Sequence, residues 1–221
     1  MINKNDLIDF LLPYYPDIQK GVSAEDLDAF LKQYNLKIRA DHRGFLLKFG
    51  GGFRFFTSDL VDCTFKEFKD YYIKDFNNDY ENEVIALQEI IPKNTVYFGL
   101  GFSSAICLDN EDGGLYYYDN MKRDLKMCEN IESFVFLGLI NNIFNKSEYI
   151  ESIAYSIRID DVNVFLRENE QYKVHGLSGR YFQCYVNGNM IIISDVKSME
   201  YSLYKGGILN LLNEKKRKNS I

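Results

Sequence analysis

The chain has 221 residues, 46% hydrophobic and 15% aromatic, which is enough for one sizeable core or for a domain with an appendage and excludes global disorder. Its formal charge of −6 is uneven: residues 151–221 hold 10 Lys and Arg against 8 Asp and Glu, so 16 of the 26 basic and 24 of the 32 acidic residues fall in the first 150. That acidity disfavours nucleic acid as a partner and favours a basic protein.

The amino-terminal apolar run is short, contains Asp9 and is broken by Pro13, against a secretory signal, and no segment approaches a membrane span. The cytoplasm is the expected location. Within this run Asp6 to Leu12 reads as a short helix closed by Pro13 and Pro16.

The rest of the chain is organised around the stretch 23–56. Ser23 with Glu25 and Asp26 is a helix start, and Leu27, Phe30, Leu31 and Tyr34 fall on one helical face. Asn35 ends that pattern, Leu36 and Ile38 cross over in extended form, and Asp41 is expected to cap a second helix carrying Phe45, Leu46 and Phe49. Gly50, Gly51 and Gly52 are expected to stop it by taking a left-handed conformation, before a strand with Phe53, Phe55 and Phe56.

Thr64 begins a helix in which Phe65, Phe68, Tyr72 and Phe76 keep a 3–4 spacing, followed by the polar loop NNDYENE and the apolar segment VIALQEIIP. From Thr95 the period becomes that of strands: TVYFGLG, SSAICLD and GLYYYDN, with DNEDGG as a hairpin turn. Counted as a calcium loop from Asp109, the fifth and twelfth positions hold Gly113 and Asn120, so that motif fails. Gly99-Leu100-Gly101 lacks the further residues of a phosphate cradle and reads as a tight strand crossing. A helix from Asn130 to Phe144 carries a broad apolar face and is expected to lie across the sheet.

In the carboxy-terminal segment Asp160-Asp161 precede a helix-like VNVFLRENE, YFQCYV and NMIIISD form a hairpin around Asn187-Gly188, and Leu203 to Leu212 is a candidate last helix before a basic KKRK tail. Cys63, Cys107, Cys128 and Cys184 are too far apart for the close pairs of a zinc site and are expected to be buried free thiols; His42 and His175 are isolated. Neither metal nor cofactor is expected. Asp109, Asp119 and Asp195 are the acids at strand ends, each beside a turn where Asp serves the backbone, so no catalytic set emerges and no enzyme is expected.

A capped helix with an apolar crossover, then FLLKFGGGF, then AICLDNEDGGLYYYDN, then ESFVFLGLI, resembles in order and spacing the SUKH superfamily, which contains bacterial immunity proteins against polymorphic toxins and yeast regulators of cell-wall synthesis. Ile38, Phe45, Leu46, Gly50, Gly51, Ile106, Leu108, Asp109, Tyr117, Tyr118 and Asp119 match its pattern, whereas Arg39-Ala40 stand where Leu-Pro is usual. The resemblance covers about residues 22–144. It implies an α+β, SUKH-like fold with helices packed around a mainly antiparallel sheet, no catalytic residues, and a binding surface that varies between members. The expected organisation is a SUKH-like domain over 1–149 and an α+β extension over 150–221 that can complete the same domain.

Joined to the acidic first 150 residues, the resemblance implies an immunity protein that neutralises a cognate basic toxin; a nuclease, whose cleft is basic, is a natural fit. A regulatory or scaffold protein is the alternative. The acidic, Tyr-containing run after Val61 supplies the candidate partner-binding residues Glu67, Asp70, Tyr71, Asp75, Asp79, Tyr80, Glu81 and Glu83, for which carboxylates steer association and Tyr provides contact area.

Overall fold

The computed structural model describes residues 3–56, 60–77, 94–101, 104–119, 122–144, 149–179, 182–195 and 198–212. The chain forms two compact units, one of residues 15–134 and one joining 1–14 to 135–221. The sequence boundary at 149 and this division, which falls inside a helix, part the chain at different places.

In the unit 15–134, α2 (Ala24–Gln33) starts where Ser23 Oγ accepts the Asp26 N–H at 3.0 Å. It ends where Asn35 takes φ +50°, and the Leu36 N–H then donates to the Leu31 carbonyl at 2.9 Å. Leu27 and Phe30 are its buried residues. The next helix, α3 (Ala40–Phe49), corrects one expectation: Asp41 is not its cap. Arg39 occupies that position without a side-chain cap, and Asp41 sits inside the first turn, where its carboxylate meets the Arg39 guanidinium and the positive helix end.

The three glycines after α3 also differ from expectation. Gly50 has φ −62° and neither Gly51 nor Gly52 has a positive φ. Their role is close approach: a Cβ on Gly51 would lie 2.9 Å from the Lys20 carbonyl oxygen, and one on Gly52 would strike that of Asp17. The Gly51 N–H donates to the Lys20 carbonyl at 2.6 Å, so the segment before α2 is laced to the end of α3 through backbone that no side chain separates.

β1 (Arg54–Phe56), β2 (Leu60–Asp62), β3 (Thr95–Gly101), β4 (Ser104–Asp109), β5 (Leu115–Asp119) and β6 (Lys122–Cys128) form a six-stranded antiparallel sheet in chain order. Between β2 and β3 runs α4 (Phe65–Asn77). Gly99 confirms the tight crossing, since a Cβ there would meet Cys63 Sγ and, at 2.6 Å, the Asp62 carbonyl oxygen. Rings make the core: Phe45 lies 5.0 Å from Phe53 and 4.7 Å from Phe98, and Phe134 lies 5.5 Å from Phe53 and 5.4 Å from Phe98. Phe134 belongs to α5 (Ile131–Phe144), capped by Asn130 at 2.8 Å, and its contacts with Phe53, Phe55 and Phe98 set the start of α5 on this sheet. Cys107, Tyr116 and Tyr118 form a second, smaller buried cluster with Ala105.

The other unit contains α1 (Lys4–Leu11), capped by Asn3 and followed by a 3-10 turn over Leu12–Tyr14, and α6 (Val162–Asn169), capped by Asp161. Its four-stranded antiparallel sheet has the order β7-β10-β9-β8, built from β7 (Ser152–Arg158), β8 (Phe182–Asn187), β9 (Met190–Asp195) and β10 (Glu200–Lys205). Phe165 of α6 packs on Tyr185 and Tyr201 with centroids at 5.8 and 5.2 Å.

Two expectations change in this unit. The β8–β9 turn is centred on Gly188-Asn189, because Asn187 pairs with Met190, and Gly188 has φ +61° at the first central position, as a type II′ turn requires. Leu203 to Lys205 belong to β10, not to a final helix: pairing on both sides holds this stretch extended, and Gly206 and Gly207, at φ +75° and +59°, turn the chain. A 3-10 turn over Gly207–Leu209 comes next and runs into helix at 210–212, so the expected last helix holds at its far end. All four cysteines are buried free thiols. Among the described residues no helix is long and apolar enough to cross a membrane.

Candidate partner-binding surface

The start of α4 is built by polar side chains on its amino-terminal flank. Asp62, at the end of β2, accepts from the Thr64 N–H at 3.0 Å and the Thr64 hydroxyl at 2.7 Å, while its other oxygen takes the Arg54 guanidinium at 2.6 Å. Thr64 Oγ1 accepts the Glu67 N–H at 3.3 Å and caps the helix. Phe65, Phe68 and Tyr71 then point into the core, leaving Lys66 and Asp70 outside as a 4.0 Å pair.

The expected partner-binding residues therefore separate. Asp70 is exposed to solvent at 43%. Glu67 is half-buried and accepts the Tyr97 hydroxyl at 2.7 Å; burial, then this bond, pushes the Tyr97 phenol above its usual range and keeps it a donor. Tyr71 is 6% exposed and stacks on Tyr97 with centroids 3.8 Å apart and planes at 6°. It offers no outward contact area, because this helix turns three aromatic residues per two turns inward and Tyr71 is one of them. Asp75 lies on α4, and Asp79, Tyr80, Glu81 and Glu83 fall outside the described residues.

A second set of carboxylates sits at the β4–β5 turn. Asp109 Oδ1 accepts the N–H groups of Glu111 and Asp112 at 2.8 and 3.2 Å, and Asp112 accepts the Gly114 N–H at 2.7 Å, the Tyr116 hydroxyl at 2.6 Å and Lys126 Nζ at 3.1 Å. Burial works against the charged form of Asp112, but Tyr116, Gly114 and Lys126 outweigh it and hold the carboxyl below its ordinary value. Arg39 fastens this turn to the α2–α3 crossover: its guanidinium donates to the Asn110 carbonyl at 2.8 Å and pairs with Asp41 at 3.0 Å. The Asp41 hydrogen bond raises the Arg39 guanidinium further, and Asp41, opposed by burial, is held low by Arg39. No local pattern flags Arg39, since Asn110 lies 71 positions away.

A recess also goes unmarked by sequence. α2 and α4 border an open trough of about 580 Å³, with Phe30 and Phe65 at its base, their centroids 5.6 Å apart at 87°. Asp26 and Ala29 line the α2 side; Lys69 lines the α4 side with its ammonium 5.0 Å from the Phe65 centroid.

The titratable groups inside the fold are held in unreactive forms. Burial raises the thiol of Cys63 well above its usual value, pushes Cys107 up to about 12, and raises Cys128 and Cys184 as well. His42 is fully buried beside Phe68 and Phe98 and is pushed down to about 3 by burial, the Asp41 charge opposing this only in part. Exposed carboxylates such as Glu25, Asp26, Asp28 and Glu111 stand beside exposed lysines such as Lys32 and Lys66, and the carboxylates are suited to steer and hydrogen-bond a cationic surface.

A family model described as SMI1 / KNR4 family (SUKH-1) matches residues 21–137, more than half of the chain and nearly all of the unit 15–134. Comparison with curated proteins gives no match.

Proposed function

We propose, from the premise that this chain belongs to the SMI1 / KNR4 family (SUKH-1), that it is a non-catalytic immunity protein which neutralises a cognate basic toxin by covering its active surface. The observation that carries the reading is the charge of the first 150 residues, which contain the matched region: 24 acidic against 16 basic, with Glu25, Asp26, Asp70 and Glu111 on the outside. A toxin that acts on nucleic acid has a cationic cleft, and carboxylates carried on a preorganised frame accelerate encounter with it and repel anionic competitors. The contact region of this proposal runs along α4 from Glu67 and Asp70 to Asp75 and on to Asp79, Tyr80, Glu81 and Glu83. Tyr71 serves it from within, by fixing Tyr97 and through it Glu67.

Co-expression with the protein encoded by the neighbouring gene tests this. The expected result is rescue from growth arrest and a complex whose association slows as salt rises. Reversal of Asp70 and Asp75 to Lys should slow association at least tenfold at low salt. Unchanged protection and rate in that variant would place the contact elsewhere, and a neighbouring gene product that causes no arrest would favour a regulatory or scaffold role.

A further inference from the structure

We propose that the trough between α2 and α4 receives an arginine presented by the basic partner, with Asp26 as its counter-charge and the Phe30 and Phe65 side chains as its apolar bed. This rests on the immunity reading and specifies one contact that it would use. The trough is open to solvent and has a volume of about 580 Å³, room enough for a long side chain laid along it.

Its chemistry favours a cation with an apolar stem. Asp26 Oδ2 accepts the Ser23 hydroxyl at 2.7 Å, which orients the carboxylate at the trough wall and leaves lone pairs on both oxygens for an incoming fork of donors. Among the described residues of the lining the cation is Lys69, whose ammonium is drawn over the Phe65 ring at 5.0 Å and shows that this ring accepts a positive charge beside it. Glu25 is exposed next to Asp26 on the first turn of α2, so the approach to the trough from that side is acidic. A guanidinium fits better than an ammonium because its plane can pair with Asp26 while its three-methylene stem lies along Phe30 and Phe65. Among the described residues of the lining a partner carboxylate meets the single cation Lys69, and faces Asp26 and Glu25.

The probe is a pair of uncharged-backbone peptides of equal length, one carrying three arginines and one three glutamates, titrated into the isotope-labelled full chain. The arginine peptide is expected to shift the amide resonances of Ser23, Asp26, Ala29 and Lys69, with binding weakened at least fivefold in Asp26→Asn and in Ala29→Arg. Ala29 is an exposed helix position, so the larger side chain closes the trough without entering the core. Shifts confined to other surfaces, or equal binding of the glutamate peptide in the trough, overturn the proposal. The same variants in the co-expression test separate the two readings. Protection by the parent chain that survives Ala29→Arg unchanged sinks the trough and leaves the immunity function standing, whereas arginine binding in the trough without any protection sinks the immunity function alone.

Discussion

Replacing His42 by leucine should flatten the acid limb of the stability curve. The imidazole is completely buried, and among the described residues neither Nδ1 nor Nε2 has a hydrogen-bond partner. Its surroundings are the Phe68 ring at 5.4 Å and the Phe98 ring at 4.8 Å. A neutral imidazole tolerates this at a cost; an imidazolium does not, and burial lowers its value from 6.5 to about 3. The folded-state pKa lies below the unfolded one, so between these limits the unfolded chain takes up a proton that the folded chain refuses. Stability is full above the unfolded value and falls as pH drops through 6.5 towards 3. At about 1.4 kcal/mol per pH unit, the loss from this one residue is about 2 kcal/mol between pH 7.5 and pH 5, and about 3 kcal/mol by pH 4. Exposed carboxylates also titrate in that range, but they are common to parent and variant and cancel in the difference.

The assay is urea unfolding of parent and His42→Leu at half-unit steps from pH 8 to pH 4. The stability difference, variant minus parent, should grow by about 2 kcal/mol on acidification from pH 7.5 to pH 5. Leucine is a good helix former and matches the apolar surroundings, so its sign at pH 7.5 is set by the two unpaired nitrogens it removes against the ring contacts it gives up. Parallel curves for the two proteins would refute the reasoning, since they would mean that His42 is protonated equally in folded and unfolded chains.

Gly52→Ala should destabilise by about 2 kcal/mol in chemical unfolding, because its methyl group meets the Asp17 carbonyl oxygen; an unchanged midpoint would mean that this backbone approach relaxes freely. Gly44→Ala should act in the opposite direction, raising stability by roughly 0.5–1 kcal/mol, as the position lies inside α3 with open space where the methyl would go; a loss in thermal unfolding would contradict that geometry. None of the four cysteines should react with a thiol-specific disulfide reagent until the chain is unfolded, given their burial and raised values, and a thiol titrating in the native protein would show an opening of the core.

Local chemistry was legible at most positions with a local cause, the cap of α3 and the centre of the β8–β9 turn excepted. Ser23 caps α2, Asn35 ends it in a left-handed turn, Thr64 and Asn130 begin α4 and α5, and Asp161 begins α6, because each of these groups bonds to backbone within three or four residues. Short β-type apolar runs bounded by turn residues were enough for the strands from Thr95 to Asp119, and wide cysteine spacing was enough for buried thiols. Order and spacing of such signals across 21–137 carried the family, since collinear weak matches constrain one another.

Features that depended on distant segments were not legible. Gly51 and Gly52 look like conformational breakers in sequence, yet they exist to let Lys20 and Asp17 come close, and nothing beside them records which backbone will arrive. The stretch from Leu203 has helical spacing, and only pairing with β9 on one side and β7 on the other makes it a strand. Arg39 replaces the leucine expected at its position and becomes a clasp only because folding delivers the Asn110 carbonyl to it. Tyr71 reads as one more surface tyrosine among acids until Tyr97 of another strand stacks on it. Sequence alone specified the residues that caps, turns and alternating faces require; tertiary structure decided which side chains face the solvent. Exposure is a property of what packs against a residue, and for the groups that decide this protein's surface the packing partners lie tens of positions away.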